Sequence, residues 1–285
     1  MMLNESNEEE TVSDPFLQKL NDHILLGEQL VKGWSGGFLE VALRRANLVG
    51  LIHQVVLANC ARQLRSLKSL LSVAEGGDSV AGSMLVRSMF ETTINVGFVM
   101  KPVWNHQVRG KKEKLTQELR AQLYLLHTQL ELSQRQTRAK DKANKKSQAK
   151  IVFDSDSIAL LPTLEKEVGA KWLKVLSAEP HTVTGESLET IAGMISPDLS
   201  AWYAVMEGEY PACNHAVGLN EFLRKNLEGE YVTNSVSSAE SLQGVVYNGI
   251  YLTLTTLGFV DQYADIGIGG RSMLSGLRNK LNAIA

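Results

Sequence analysis

The run Val86-Arg87-Ser88-Met89-Phe90-Glu91 sets a guanidinium and a carboxylate four residues apart within a stretch otherwise rich in large apolar side chains. On a helix that spacing puts them on one face, a single turn apart. Projected at about 100° per residue, Ser83, Arg87, Glu91 and Asn95 form one slowly drifting polar stripe, with Leu85, Val86, Met89, Phe90 and Val96 on the other side. A solvated face would explain the stripe. Arg placed before Glu is, however, the poorer orientation for helix support, so helix stabilisation alone accounts badly for the choice. A guanidinium fixed by a bidentate carboxylate is instead suited to steadying the charge that develops on a phosphate.

A second concentration of reactive groups is Glu207-Gly208-Glu209-Tyr210-Pro211-Ala212-Cys213-Asn214-His215. An imidazole moves protons near neutral pH, and Glu209 is placed to orient His215. The competing reading is that Asn214 and His215 cap a helix end. Cys213 would serve as a nucleophile only with a lowered thiol pKa. The catalytic candidates are therefore Arg87, Glu91, Glu209 and His215.

Other chemistries find less support. Glu91, Glu207, Glu209 and His215 could in principle gather round a metal, but no Glu-x-x-His or His-Glu-x-x-His pattern stands on any helix, so no metal site is expected. Gly267-Ile268-Gly269-Gly270-Arg271-Ser272 matches neither the Walker nor the dinucleotide pattern, which leaves a helix break as its reading and no cofactor expected. Lys140, Lys142, Lys145, Lys146 and Lys150 could neutralise phosphates. No aromatic residue is interleaved for stacking on bases, and a solvated face is the alternative.

The elements that must position these groups read as helices. Ser13-Asp14-Pro15 is a start signal, followed by Phe16, Leu17, Leu20, Ile24 and Leu25 at helical spacing until Gly33 and Gly36-Gly37. Phe38 to about Val73 reads as one long apolar helix with Gly50 as its weak point. Glu75-Gly76-Gly77-Asp78 turns the chain into a third helix, Ser79 to Met100, forming a helical hairpin with the second. Leu115, Leu119, Leu123, Leu126 and Leu130 give the next segment an apolar stripe, and Arg135 to Lys150 extends it as an exposed helix or loop. Shorter pieces follow over Ile158–Leu176 and Leu188–Ile195, with Ser196-Pro197-Asp198 capping another helix. Asn248-Gly249 between apolar runs is a hairpin signal, but an isolated hairpin is marginal, so one helix from about Ala239 to Tyr263 is expected. Gly267, Gly269 and Gly270 should then break the chain before a short final helix.

At 285 residues and 44% hydrophobic content the chain can bury a core of its own. Residues 13–285 are expected to form one all-α domain, an irregular multi-helix bundle, behind a disordered acidic tail over residues 1–12. The net charge of −2 gives no global attraction to nucleic acid or membrane. Within residues 109–150, however, twelve Lys/Arg stand against four Asp/Glu, a local positive pole. An RNA or a protein is the expected partner of that segment, with self-association left open. Two cysteines and an acidic start fit a reducing cytoplasm better than export. The uncharged stretch Ser241–Val260 carries too many polar and glycine residues for a membrane span.

The run Leu85 to Asn95, taken with the distant His215, resembles a bacterial domain-of-unknown-function family, number 5677, whose pattern is an Arg-Ser-x-Phe-Glu helix and a later Tyr-to-His element. That resemblance implies an all-helical fold and no established activity. At the second element the chain departs from the pattern, because Tyr203 lies well before His215 with Pro211 between them. By looser analogy, an Arg and a His from different helices are similar to those of the HEPN group of helical ribonucleases, although no Arg stands close to His215. The leading expectation is a defence- or toxin-type protein acting on RNA through Arg87, Glu91 and His215, a ribonuclease-like hydrolase if an enzyme. The alternative is a non-catalytic helical interaction or scaffold protein in which the Leu115–Leu130 helix and its basic extension bind a partner or a second copy.

Overall fold

The computed structural model describes residues 15–35, 38–45, 50–108, 111–146, 166, 168, 186–209, 223–225, 231–233, 237–264 and 268–284. Among them the chain is all-α, with nine helices and two small two-stranded ribbons. The acidic tail expected over residues 1–12 and nearly all of Ile158–Leu176 lie outside the described residues.

Helix α1 spans Pro15–Trp34. The long second helix of the sequence reading is instead two, α2 over Phe38–Arg45 and α3 over Gly50–Glu75. Gly50 opens α3 at φ 63°, a left-handed conformation that costs a side-chain-bearing residue energy, so the weak point is a break. Gly77, at φ 77°, ends α3. Its N–H donates to the Ala74 carbonyl and that of Asp78 to Val73, the paired bonds of a Schellman turn. Asp78 then caps α4, Ser79–Met100, by accepting the Ala81 N–H at 2.9 Å.

Helix α4 is the axis of the bundle, buried along most of its length. It packs on α3, on α8 (Ala239–Ala264), on α5 (Gln117–Lys146) and on α6 (Leu188–Ile195). Thr93 and Thr256 hydroxyls meet at 2.8 Å between α4 and α8, and each also reaches a helical carbonyl, so these polar groups are satisfied in the core. His23 on α1 is buried edge-on against Tyr247 of α8 at 5.7 Å, and burial pulls its pKa below the ordinary histidine value.

Helix α8 runs straight through Asn248-Gly249, as expected. Packing explains the glycine: a Cβ on Gly249 would sit 2.2 Å from Leu70 Cδ2, and Leu70 Cδ1 lies only 3.2 Å from where a Cβ on Gly82 would be. Leu70 is fully buried between these two bare backbone positions. Gly249→Ala should therefore cost about 1–3 kcal/mol by overpacking, despite the better helix propensity of alanine. A urea midpoint equal to or above the parent's would refute this.

Two further expectations need correction. Before α5 the chain forms a hairpin, β1 (Trp104–Val108) paired antiparallel with β2 (Lys111–Leu115), in which Trp104 faces Leu115. Those two anchor the ribbon's base in the core. A second ribbon pairs β3 (Leu223–Lys225) with β4 (Tyr231–Thr233). The final helix α9, Ile268–Ile284, takes Gly269 and Gly270 into its first turn where a break was expected; Gly267 lies outside the described residues. Its Leu274, Leu277 and Leu281 are buried, so packing offsets the poor propensity of the two glycines.

Ser196 joins α6 to α7 (Pro197–Glu209), receiving the Leu199 N–H on its hydroxyl at 3.2 Å with Pro197 in the first helical position. Among the described residues no helix is long and apolar enough to cross a membrane.

Candidate functional site

Arg87 and Glu91 stand where the spacing put them, one turn apart on α4, with Nε 3.8 Å from Oε1. This is a loose ion pair, and the bidentate clasp expected from the sequence is not formed. Both side chains are partly open to solvent, Arg87 at 32% and Glu91 at 46%. Asn95 continues the half-buried strip. Ser83 does not: it is buried and donates to the Ser79 carbonyl at 2.8 Å.

What the stripe alone did not reveal is its surroundings. Arg62 comes across from α3 and donates to Ser88 Oγ at 3.0 Å, directly beside Arg87. Burial raises the Glu91 pKa above the ordinary carboxylate value. The Arg87 and Arg62 charges oppose that rise, and the Glu131 carboxylate on α5 adds to it. The site is thus a three-helix junction in which two guanidiniums, from α3 and α4, act on one reluctantly ionised carboxyl. A carboxyl so perturbed is better matched to proton transfer than an ordinary surface glutamate.

Helix α5 fixes the third side. Tyr124 donates to Asn59 Oδ1 of α3 at 3.0 Å, while Ala121, Leu123 and Leu126 are fully buried. Its apolar stripe is therefore occupied by the chain's own core and is not free to dock a partner. Beyond Glu131 the α5 backbone continues as helix to Lys146, a further 15 residues or about 22 Å. Lys140, Lys142, Lys145 and Lys146 all lie on that extension; their side chains, like the whole of Lys150, fall outside the described residues.

Glu209 is the last residue of α7, and its side chain is also outside the described residues, as are Cys213 and His215. The meeting of His215 with Arg87 and Glu91 thus has no geometry here. Among the described residues no group of three or more His, Cys, Asp or Glu is placed to hold a metal ion. Cys60 is wholly buried, which pushes its thiol up to about 12 and removes it as a nucleophile near neutral pH.

Compared with known proteins, the chain matches no family model, no curated protein and no solved structure.

Proposed function

We propose that the protein binds RNA along α5 and acts on it at the α3–α4–α5 junction as a ribonuclease-like hydrolase. The observation that carries this reading is the placement of Arg62, Arg87 and the raised-pKa carboxyl of Glu91 at the foot of the cationic half of α5. Phosphates tracking the cations would be delivered to two guanidiniums, which favour the extra charge of a phosphorane-like transition state. Glu91 and His215 would then move the two protons that cleavage by the neighbouring 2′-hydroxyl requires, one off the attacking oxygen and one onto the leaving oxygen. In this reading the setting is a bacterial cytoplasm, where the buried, unpaired Cys60 stays reduced.

Binding of a single-stranded RNA oligonucleotide, followed by fluorescence anisotropy across a salt series, tests the first half. Replacing Lys140, Lys142, Lys145 and Lys146 together by Gln should flatten the slope of log affinity against log salt by up to about 3 units, near 0.7 per lost phosphate contact. An unchanged slope, or no binding by the parent at low salt, would return α5 to an ordinary solvated helix.

A further inference from the structure

A second site, unconnected with the RNA reading, lies among α7, α8 and α9. There a cleft of about 620 Å3 opens, within the range of about 300–1,000 Å3 usual for small-molecule sites. Leu254, Phe259, Leu274 and Leu281 form its apolar wall, Arg271 and Arg278 are its cations, and Asp198 and Asp261 are its carboxylates.

The two arginines differ. Arg271 is matched by Asp261 at 3.4 Å. Arg278 has no carboxylate within ion-pair distance among the described residues; its Nη2 donates to the Leu254 carbonyl at 3.1 Å. That carbonyl lies inside α8, where the helix's own N–H four residues on already uses it. Arg278 is therefore not repairing a backbone defect. It reaches the carbonyl only because position 258 is glycine, since a Cβ there would fall 2.3 Å from Nη2. The glycine notch and the carbonyl together fix the plane of the guanidinium in the cleft wall. Its other N–H groups have no partner among the described residues. Asp198 lines the same cleft without coming within ion-pair distance of Arg278. A guanidinium held in one plane beside an apolar wall, with no carboxylate in contact among the described residues, is a pattern that takes an oxyanion with an apolar body behind it.

We propose that this cleft binds a small organic oxyanion, a carboxylate or phosphate monoester with an apolar or aromatic body, through Arg278. Titration calorimetry on the full chain, with benzoate and phenyl phosphate as probes and benzamide as their neutral counterpart, tests it. Saturable one-to-one binding is expected for at least one anion, with a Kd in the millimolar range or tighter and benzamide at least about tenfold weaker. Whichever anion binds more tightly assigns the headgroup. Arg278→Gln should weaken that anion about tenfold or more, and Gly258→Ala should do likewise by displacing the guanidinium. Arg278 is solvent-exposed, so its Gln variant remains a test even where the alanine at 258 disturbs folding. The fourfold Gln variant of α5 should bind the anion as the parent does. The proposal falls if neither anion saturates, if Arg278→Gln binds like the parent, or if the anion is lost with the α5 lysines, which would mean that it was held there.

Discussion

Arg120→Leu is expected to destabilise the fold by about 3–5 kcal/mol, the largest effect of any single substitution considered for this chain. Arg120 is fully buried although it belongs by sequence to the positive pole. Its Nη1 donates to the Leu115 carbonyl at 2.7 Å and its Nη2 to the carbonyls of Val99 and Lys101. The last two stand at the C-terminal end of α4, where helical carbonyls have run out of N–H partners and the helix dipole is negative. The guanidinium also lies 5.8 Å from the ring centres of both Phe98 and Trp104. Burial lowers its pKa only to about 10, so it stays charged at neutral pH. No carboxylate pairs with it among the described residues; helix-end carbonyls and ring faces take that role. Leucine would leave three carbonyls desolvated, each at about 1–3 kcal/mol before relaxation. Against a total stability of about 5–15 kcal/mol, that brings the variant close to unfolding. Lysine keeps the charge but not the planar fork, and should recover less than half of the loss. Urea denaturation followed by circular dichroism reads both variants. A midpoint for Arg120→Leu within error of the parent would show that the carbonyls find water and that the arginine is dispensable.

The same residue shows where sequence reading stops. Leu119 and Leu123 announce the inward face of α5, but the acceptors that draw Arg120 into it come from the end of α4 and from the hairpin, which no local pattern connects. The β1–β2 hairpin escaped for a related reason: apart from Trp104, Val108 and Leu115 its strands are polar or charged, too sparse in apolar residues for the alternation by which a strand is recognised. Caps were legible because their signals are local, as at Asp78 and Ser196. Helix α8 was legible through Asn248-Gly249 because a lone hairpin could not bury so apolar a run. In the candidate site, Arg87 and Glu91 were readable from their spacing. Ser83 was misassigned because an i, i+4 stripe drifts by about 40° per step, and its first member has turned inward. Arg62 was overlooked although antiparallel pairing of α3 with α4 about the Gly76-Gly77 turn brings it within a helical turn of the level of Ser88, close enough for its long side chain to reach the Ser88 hydroxyl.

Glu91→Gln should leave the fold intact and remove RNA cleavage. With both partners partly exposed and 3.8 Å apart, the Arg87–Glu91 pair contributes no more than about 1 kcal/mol. The direction of the Glu91 shift sharpens this. A carboxyl whose pKa is raised on folding stabilises the native state below its unfolded pKa, and that stabilisation is lost as the pH climbs through its folded value. Ionising Glu91 in the folded parent therefore carries a net cost that glutamine does not bear. The melting temperature of Glu91→Gln should lie within a few degrees of the parent's, with the comparison moving in favour of glutamine from acid to neutral pH. Catalysis should respond oppositely. Loss of a proton-transfer group lowers the rate by about 10²–10⁴-fold, while RNA affinity stays level or rises because a negative charge has left the phosphate site. Arg62→Gln and Arg87→Gln should instead weaken binding. If Glu91 and His215 serve one reaction, the double variant Glu91→Gln/His215→Ala should be no slower than the slower single variant. Multiplying losses would assign the two residues to separate purposes. A Glu91→Gln protein that cleaves RNA like the parent would reduce the junction to a half-buried salt bridge, and a parent that binds RNA without cleaving it would leave α5 as the working part.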